Sequence, residues 1–275
     1  VKFDMSKAWD QATAVLGKNR RMVAVVAGVF FFLPVAVLIL LLPDFSQDPA
    51  FAGAGSDPEA MAKMINAVLK DIWWALLIAT LLQIVGMLAL YRLLSSRARP
   101  TVGEALSFGA KALLPFIGSS LLVQIIQLVV VGLPTRLTEG TAIGALVSLA
   151  GLFVTIWLTI RFLLTGPVVA IEKQFNPFKV LRRAWQLTEG NAMRLLAFFI
   201  LLIAAFVIVW LVAVLMFTLV FGLMGPEAAR FGFALVTGAA IASYFAIYVG
   251  VQVAIHRQLA GEEKPPVTQD DRWVI

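Results

Sequence analysis

Long apolar runs alternate with short polar connections along the whole chain. Six runs, at about 22–42, 72–94, 112–133, 141–160, 195–221 and 231–255, each hold about 20 residues or more with few charges. A bilayer core about 30 Å thick needs about 20 apolar residues per helix, so each run predicts a membrane-spanning helix. Three of the runs end alike, in LALYRLL at Arg92, LTIRFLL at Arg161 and AIHRQLA at Arg257. The connections make three hairpins, each returning on one of these arginines.

Amphipathic stretches precede the hairpins. Residues 5–18, MSKAWDQATAVLGK, put Trp9, Ala12, Val15 and Leu16 on one face at helical spacing. Residues 101–111, TVGEALSFGAK, predict a second such piece, leading into the third span through Pro115. Residues 177–190, PFKVLRRAWQLTEG, predict a third, with Pro177 in its first turn and Val180, Leu181, Ala184, Trp185 and Leu187 among basic residues. Pro34 predicts a kink in the first span. The first outer connection, 43–71, is irregular at its start. Ser56 and Glu59 mark a helix start there, and this helix runs on into the second span, with Trp73 and Trp74 as an interfacial anchor. Gly166-Pro167 breaks the stretch that follows Arg161, so it bends into the interface or packs under the bundle. The tail, 261–275, reads as loosely ordered.

The expected fold is an all-α integral membrane protein. It is a single membrane domain over 1–275, built from repeat units of about 5–94, 101–164 and 177–260. Its six transmembrane helices form three repeated hairpins, each preceded by a cytoplasmic amphipathic helix. The first and third openings align without gaps, ATAVLGKN at 12–19 against AWQLTEGN at 184–191.

Composition narrows the chemistry. Of 275 residues, 61% are hydrophobic and 14% charged, against about 25% charged in soluble domains. Cysteine is absent, which removes disulfides and thiolate chemistry, and a single histidine, His256, cannot build a multi-histidine metal site. The net charge of +6 is a topology signal rather than a nucleic-acid footprint. Eighteen Lys and Arg fall on the side of the termini and four (Lys63, Lys70, Arg136 and Arg230) on the other. That bias places both termini in the cytoplasm and attracts anionic headgroups. The run from Met22 to Leu42 exceeds a signal-peptide core of about 7–15 residues and reads as a retained helix.

No acid lies within the core of any span, which argues against an ion- or proton-coupled pump. The intramembrane polar residues are Gln83, Ser119, Ser120, Gln124, Gln127, Ser148, Thr155, Thr159, Thr218, Thr237, Ser243, Tyr244, Tyr248 and Gln252. Gln124 and Gln127, three apart, share a face. Interhelical hydrogen bonding, about 0.6 kcal/mol on average, is the plainer expectation for them; the alternative is the lining of a polar cavity or lipid-headgroup site. Arg161 and Glu172 bracket the broken segment, either as a buried pair or anion grip, or as a snorkelling arginine and a solvated acid. Ala234, Gly238, Ala242, Ala246, Gly250 and Ala254 form a ladder at every fourth position and predict close helix packing, in this chain or with another. His256 reads as an interfacial residue. No catalytic motif, cofactor-binding motif or metal site is present in the pattern.

Arg161, Pro167, Glu172 and Pro177, followed by AWQLTEG (184–190) and an apolar helix, resemble the membrane domain of bacterial glycerophosphoryl diester phosphodiesterases. They also resemble the related YciC-like inner-membrane proteins. The early AWDQATAVLGKNRR followed by GVFFFLP is similar in kind. The resemblance implies a multi-pass protein of the bacterial cytoplasmic (inner) membrane, with an association to glycerophospholipid metabolism. It implies no phosphodiesterase activity, which in those members belongs to a separate soluble domain. The leading expectation is a non-enzymatic assembly or accessory subunit that packs against other membrane helices or forms a homo-oligomer. The alternative is a lipid-handling or small-solute transport protein with a polar intramembrane cavity. Phospholipids are expected partners in either case, and nucleic acid is not.

Overall fold

The computed structural model describes residues 2–42, 58–95 and 100–261. Ser56, most of the first outer connection, Arg97, Arg99 and the tail from 262 lie outside the described residues. Among the described residues the chain is helical and has no strand. The helices are α1 (Met5–Lys18), α2 (Arg20–Leu41), α3 (Pro58–Ser95), α4 (Val102–Leu137), α5 (Gly144–Arg161), α6 (Thr165–Ala170), α7 (Pro177–Thr188), α8 (Ala192–Gly222) and α9 (Pro226–Leu259). Six stretches, α2, α3, α4, α5 with α6, α8 and α9, are long and apolar enough to cross a membrane.

Local chemistry sets the boundaries. Asp4 caps α1 by accepting from Lys7 N–H. Asn176 caps α7 by accepting from Phe178 and Lys179 N–H, with Pro177 in the first turn. α4 opens on a capping box: Thr101 Oγ1 accepts from Glu104 N–H at 3.2 Å and Glu104 Oε2 from Thr101 N–H at 2.8 Å. From there α4 is continuous through Pro115, so the amphipathic piece expected at 101–111 is the first three turns of the span itself rather than a separate helix. α3 likewise runs unbroken for 38 residues, about 57 Å at 1.5 Å per residue, with Trp73 and Trp74 exposed on it.

Pro34 is accommodated by a widened turn. A proline has no N–H, and its ring collides with the carbonyl four residues back. The preceding five residues, Gly28–Phe32, widen into a π turn in which Leu33 N–H reaches Gly28 O. The same solution recurs before Pro134, where Leu128–Gly132 widens and Leu133 N–H reaches Leu128 O.

The densest packing lies at the end of the bundle that carries most of the lysines and arginines, here the basic end. Leu88–Leu94, Leu164–Ala170, the apolar face of α7 and Val249–Ile255 are buried there. Away from it α8 loosens: its buried residues are Leu195, Phe198 and Phe199, and large apolar side chains such as Leu201, Val209 and Leu215 stay exposed. That surface suits a hydrocarbon solvent.

α9 runs through the centre, and its small-residue ladder is consumed within the chain. Ala234, Gly238, Ala242, Ala246, Gly250 and Ala254 are all buried; Gly238 faces Phe32 of α2 and Gly250 faces Leu16 of α1. A Cβ added at Gly238 would stand 3.0 Å from Phe32 Cδ2 and 3.2 Å from the Phe32 carbonyl oxygen. α1 is drawn onto α9 by this packing, burying Ala8 and Ala12, while Trp9 is 42% exposed beside a lateral apolar groove. The second hairpin is the exception to close packing. α4 and α5 meet near the connection that joins them, and α6 and α7 bridge the gap at the basic end. Between those two closures the pair is splayed.

Candidate functional site

The splay between α4 and α5 holds a cavity of about 380 Å³. α4 supplies Phe116, Ser120, Val123, Gln124 and Gln127; α5 and the turn after it supply Thr159, Phe162 and Leu163; α6 supplies Thr165 and Gly166. The floor is Met87 and Tyr91 of α3 with Tyr248 and Gln252 of α9. Gln124 and Thr159 are exposed at the mouth, whereas Tyr91 and Gln252 are about 1% exposed at the floor. The cavity thus grades from an open polar rim to a buried polar base, at the depth of the spanning helices.

The turn after α5 builds one wall. Arg161 ends α5, and Thr165 Oγ1 donates to Phe162 O at 2.6 Å to start the buried α6. At the floor the Tyr91 hydroxyl donates to Gln252 Oε1. Of the polar residues read from the sequence, Ser120, Gln124, Gln127, Thr159, Tyr248 and Gln252 converge here. Thr159 also turns back onto its own helix, as Ser119 and Ser243 do outside the lining, donating to Thr155 O, Pro115 O and Ala239 O respectively, each at 2.8 Å. Gln124 and Gln127 therefore line a cavity, the less plain of the two expectations.

Arg161 and Glu172 do not pair with each other and stand outside this lining. Arg161 is 6% exposed and lies over the Trp185 ring, 4.1 Å from its centre, and 5.8 Å from the centre of Trp157, whose ring meets Trp185 edge to face. A guanidinium stacked on a desolvated indole gains about 1–2 kcal/mol, and the stack ties α5 to α7. Arg92 and Arg257 also serve the basic end. Arg92 lies 5.5 Å over the Phe108 ring, and Arg257 Nη2 donates to Leu94 O at 2.7 Å. All three occupy the last turn of their helix, where a cation complements the helix dipole.

Glu172 follows α6 in a turn that holds Lys173 at φ 54°. Its carboxylate accepts from Arg183 Nε at 3.0 Å through both oxygens and from His256 Nε2 at 2.9 Å. Burial pushes the Glu172 carboxyl up, but the hydrogen bonds from His256 and Arg183 and their charge outweigh it and hold the group below the usual carboxylate range. His256 is fully buried within the chain, and Nδ1 meets no hydrogen-bond partner among the described residues. It stands one turn beyond Gln252, so Glu172 clamps α6, α7 and α9 together beneath the cavity.

Tyr91, Thr165 and His256 are the participants that hydropathy and spacing did not single out. Tyr91 and His256 share a signal, since each immediately precedes a repeat arginine. A second groove, of about 730 Å³, runs along α8 and α9 beside Trp9 and Phe32 and is almost wholly apolar. No group of three or more His, Cys, Asp or Glu that could hold a metal occurs among the described residues.

Fold and cavity together define a polytopic all-helical protein with spans suited to a membrane and a polar chamber inside its second hairpin. Comparison with protein-family models, curated proteins and solved structures returns no match for the chain.

Proposed function

We propose that the chain is a non-enzymatic amphiphile-binding protein, and that the splayed second hairpin admits the polar headgroup of a membrane lipid. One observation carries this: amides and hydroxyls converge on an open cavity between two helices apolar enough to cross a membrane. A headgroup entering between α4 and α5 would bond Ser120, Gln124 and Gln127 while its tails stay in the bilayer; Thr159, Thr165, Tyr91 and Gln252 already hold partners within the chain. The test is native mass spectrometry of the protein released in discs of its own membrane. Wild type should retain a lipid that the Gln124→Leu/Gln127→Leu double variant loses by tenfold or more. Equal retention by both would remove the cavity as the binding site.

The proposed setting is the bacterial inner membrane, with the basic end and both termini in the cytoplasm. The charge bias supports this orientation. The native absence of cysteine makes a clean test possible. A single cysteine at Glu139 should react with an impermeant maleimide on intact cells, and one at Lys179 only after permeabilisation. The reverse pattern would invert the topology. A threefold hairpin repeat is part of the same proposal. Its support is the shared place of Arg92, Arg161 and Arg257 and the matching junctions at Asn19 (α1 to α2) and Asn191 (α7 to α8). Kinship with the phosphodiesterase membrane domain and YciC-like proteins rests on the residues quoted above.

The assembly reading keeps one observation of its own. α3 is far longer than a bilayer needs, and Ile65, Leu69, Trp73 and Trp74 are exposed along it. A membrane-protein partner or a second copy could cover that face. The α9 ladder does not support this reading, because its residues are buried within the chain.

A further inference from the structure

Resting on the amphiphile reading, we infer that the cavity selects an uncharged, hydroxyl-rich headgroup, such as a sugar or glycerol, and excludes phosphate. The reason is the kind of group that lines it. From Gln124 and Thr159 at the mouth, through Ser120 and Gln127, to Tyr91 and Gln252 at the floor, every polar side chain is a neutral amide or hydroxyl. Such groups both donate and accept, as a sugar or glycerol hydroxyl does. Each matched pair adds to binding, and each hydroxyl left unpaired loses more than a pair gains.

An anion would find no countercharge. No lysine or arginine lines the cavity. Arg92 and Arg161, which adjoin Tyr91 and Phe162 in sequence, are not among the lining: Arg92 lies over Phe108, and Arg161 stacks on Trp185 with its Nε meeting no hydrogen-bond partner among the described residues, while Arg257 donates to Leu94 O. Arg183, beneath it, is held by Glu172. Taking an ionised group out of water without a partner costs several kcal/mol, which a set of neutral hydrogen bonds does not recover. The same penalty falls on the phosphate of a zwitterionic lipid. The volume suits the assignment: about 380 Å³ is roughly a dozen water volumes at about 30 Å³ each, room for one sugar ring but not for an acyl chain as well.

The test compares matched tails with different heads. The full chain is purified in a polyoxyethylene detergent, because a maltoside would itself present a sugar. It is then titrated in native mass spectrometry with dioctanoyl glucosylglycerol and with dioctanoyl phosphatidate. The glycolipid should bind at least tenfold tighter, and this advantage should vanish in Gln124→Leu/Gln127→Leu. Gln127→Lys, which supplies the missing cation, should move the ratio tenfold toward phosphatidate. Equal or tighter phosphatidate binding that still depends on the two glutamines would overturn the headgroup assignment and leave the amphiphile site standing. An unchanged ratio in Gln127→Lys would overturn the charge argument. Binding of free glucose with the same affinity as the glycolipid would keep the polyol chemistry and overturn the amphiphile reading. Indifference of both lipids to the double variant, with its thermal unfolding unchanged, would overturn both.

Discussion

Gly109→Leu is expected to abolish folding, and Gly109→Ala to lower the melting temperature sharply. α4 buries a stripe of small residues, Ala105, Gly109 and Ala112, against α3, where Leu88 and Ala89 are also buried. A Cβ at Gly109 would stand 2.6 Å from the Val85 carbonyl oxygen. A backbone atom cannot swing aside as a side chain does, so the two helices must part along their whole contact. Overpacking of a well-filled core costs about 1–3 kcal/mol, and leucine at a helix–helix backbone contact belongs at or beyond the upper end. The damage would reach the cavity, because α3 is its floor and α4 its wall. Gly103→Ala, where an added Cβ meets nothing within 4 Å, is the control and should be tolerated. Circular dichroism melts decide the matter. A Gly109→Ala protein that melts with wild type would refute this packing of α3 on α4.

Glu172→Ala should cost about 2 kcal/mol and loosen the basic end. It strips a charged partner from Arg183 and leaves buried His256 with neither ring nitrogen bonded to a described residue. The figure stays moderate because the Glu172 side chain is about 25% exposed and partly screened. The pH dependence has a definite sign. The folded carboxyl titrates below its ordinary value, so the folded state holds the ionised form more firmly than the unfolded chain does. This stabilisation is fully present above the ordinary glutamate value of about 4.3 and is lost as the pH falls from there through the lowered folded value. Wild type should therefore lose melting temperature between about pH 5 and pH 3 faster than Glu172→Gln, which carries no titrating group at this position. Parallel slopes would show that the clamp contributes nothing to stability.

The spans were legible because a bilayer imposes a length that composition alone reveals. Helix joints were harder to read. The residues 101–111 look amphipathic, but the Thr101–Glu104 capping box starts a helix that Pro115 fails to stop, and the change in hydropathy falls inside that helix rather than at its end. The α9 ladder announced close packing, yet periodicity is blind to the origin of the partner; only the fold shows Phe32 facing Gly238. In the cavity, Gln124 and Gln127 were readable as one helical face. Tyr91 and Thr165 join them only because α6 folds under the bundle, which depends on tertiary packing. Of the alternatives read for Arg161 and Glu172, the mutual pair does not form, for a similar reason. Trp157 and Trp185 take up the guanidinium, while α7 carries Arg183 to the carboxylate.

The most direct measurement is an electron cryomicroscopy structure of the protein in nanodiscs of its native lipids, with a rigid antibody fragment added for size. Splayed α4 and α5 should enclose a headgroup density in contact with Gln124 and Gln127, its tails leaving between the two helices. A closed second hairpin, with the two glutamines hydrogen-bonded across helices and no density between them, would contradict the cavity and the function proposed for it.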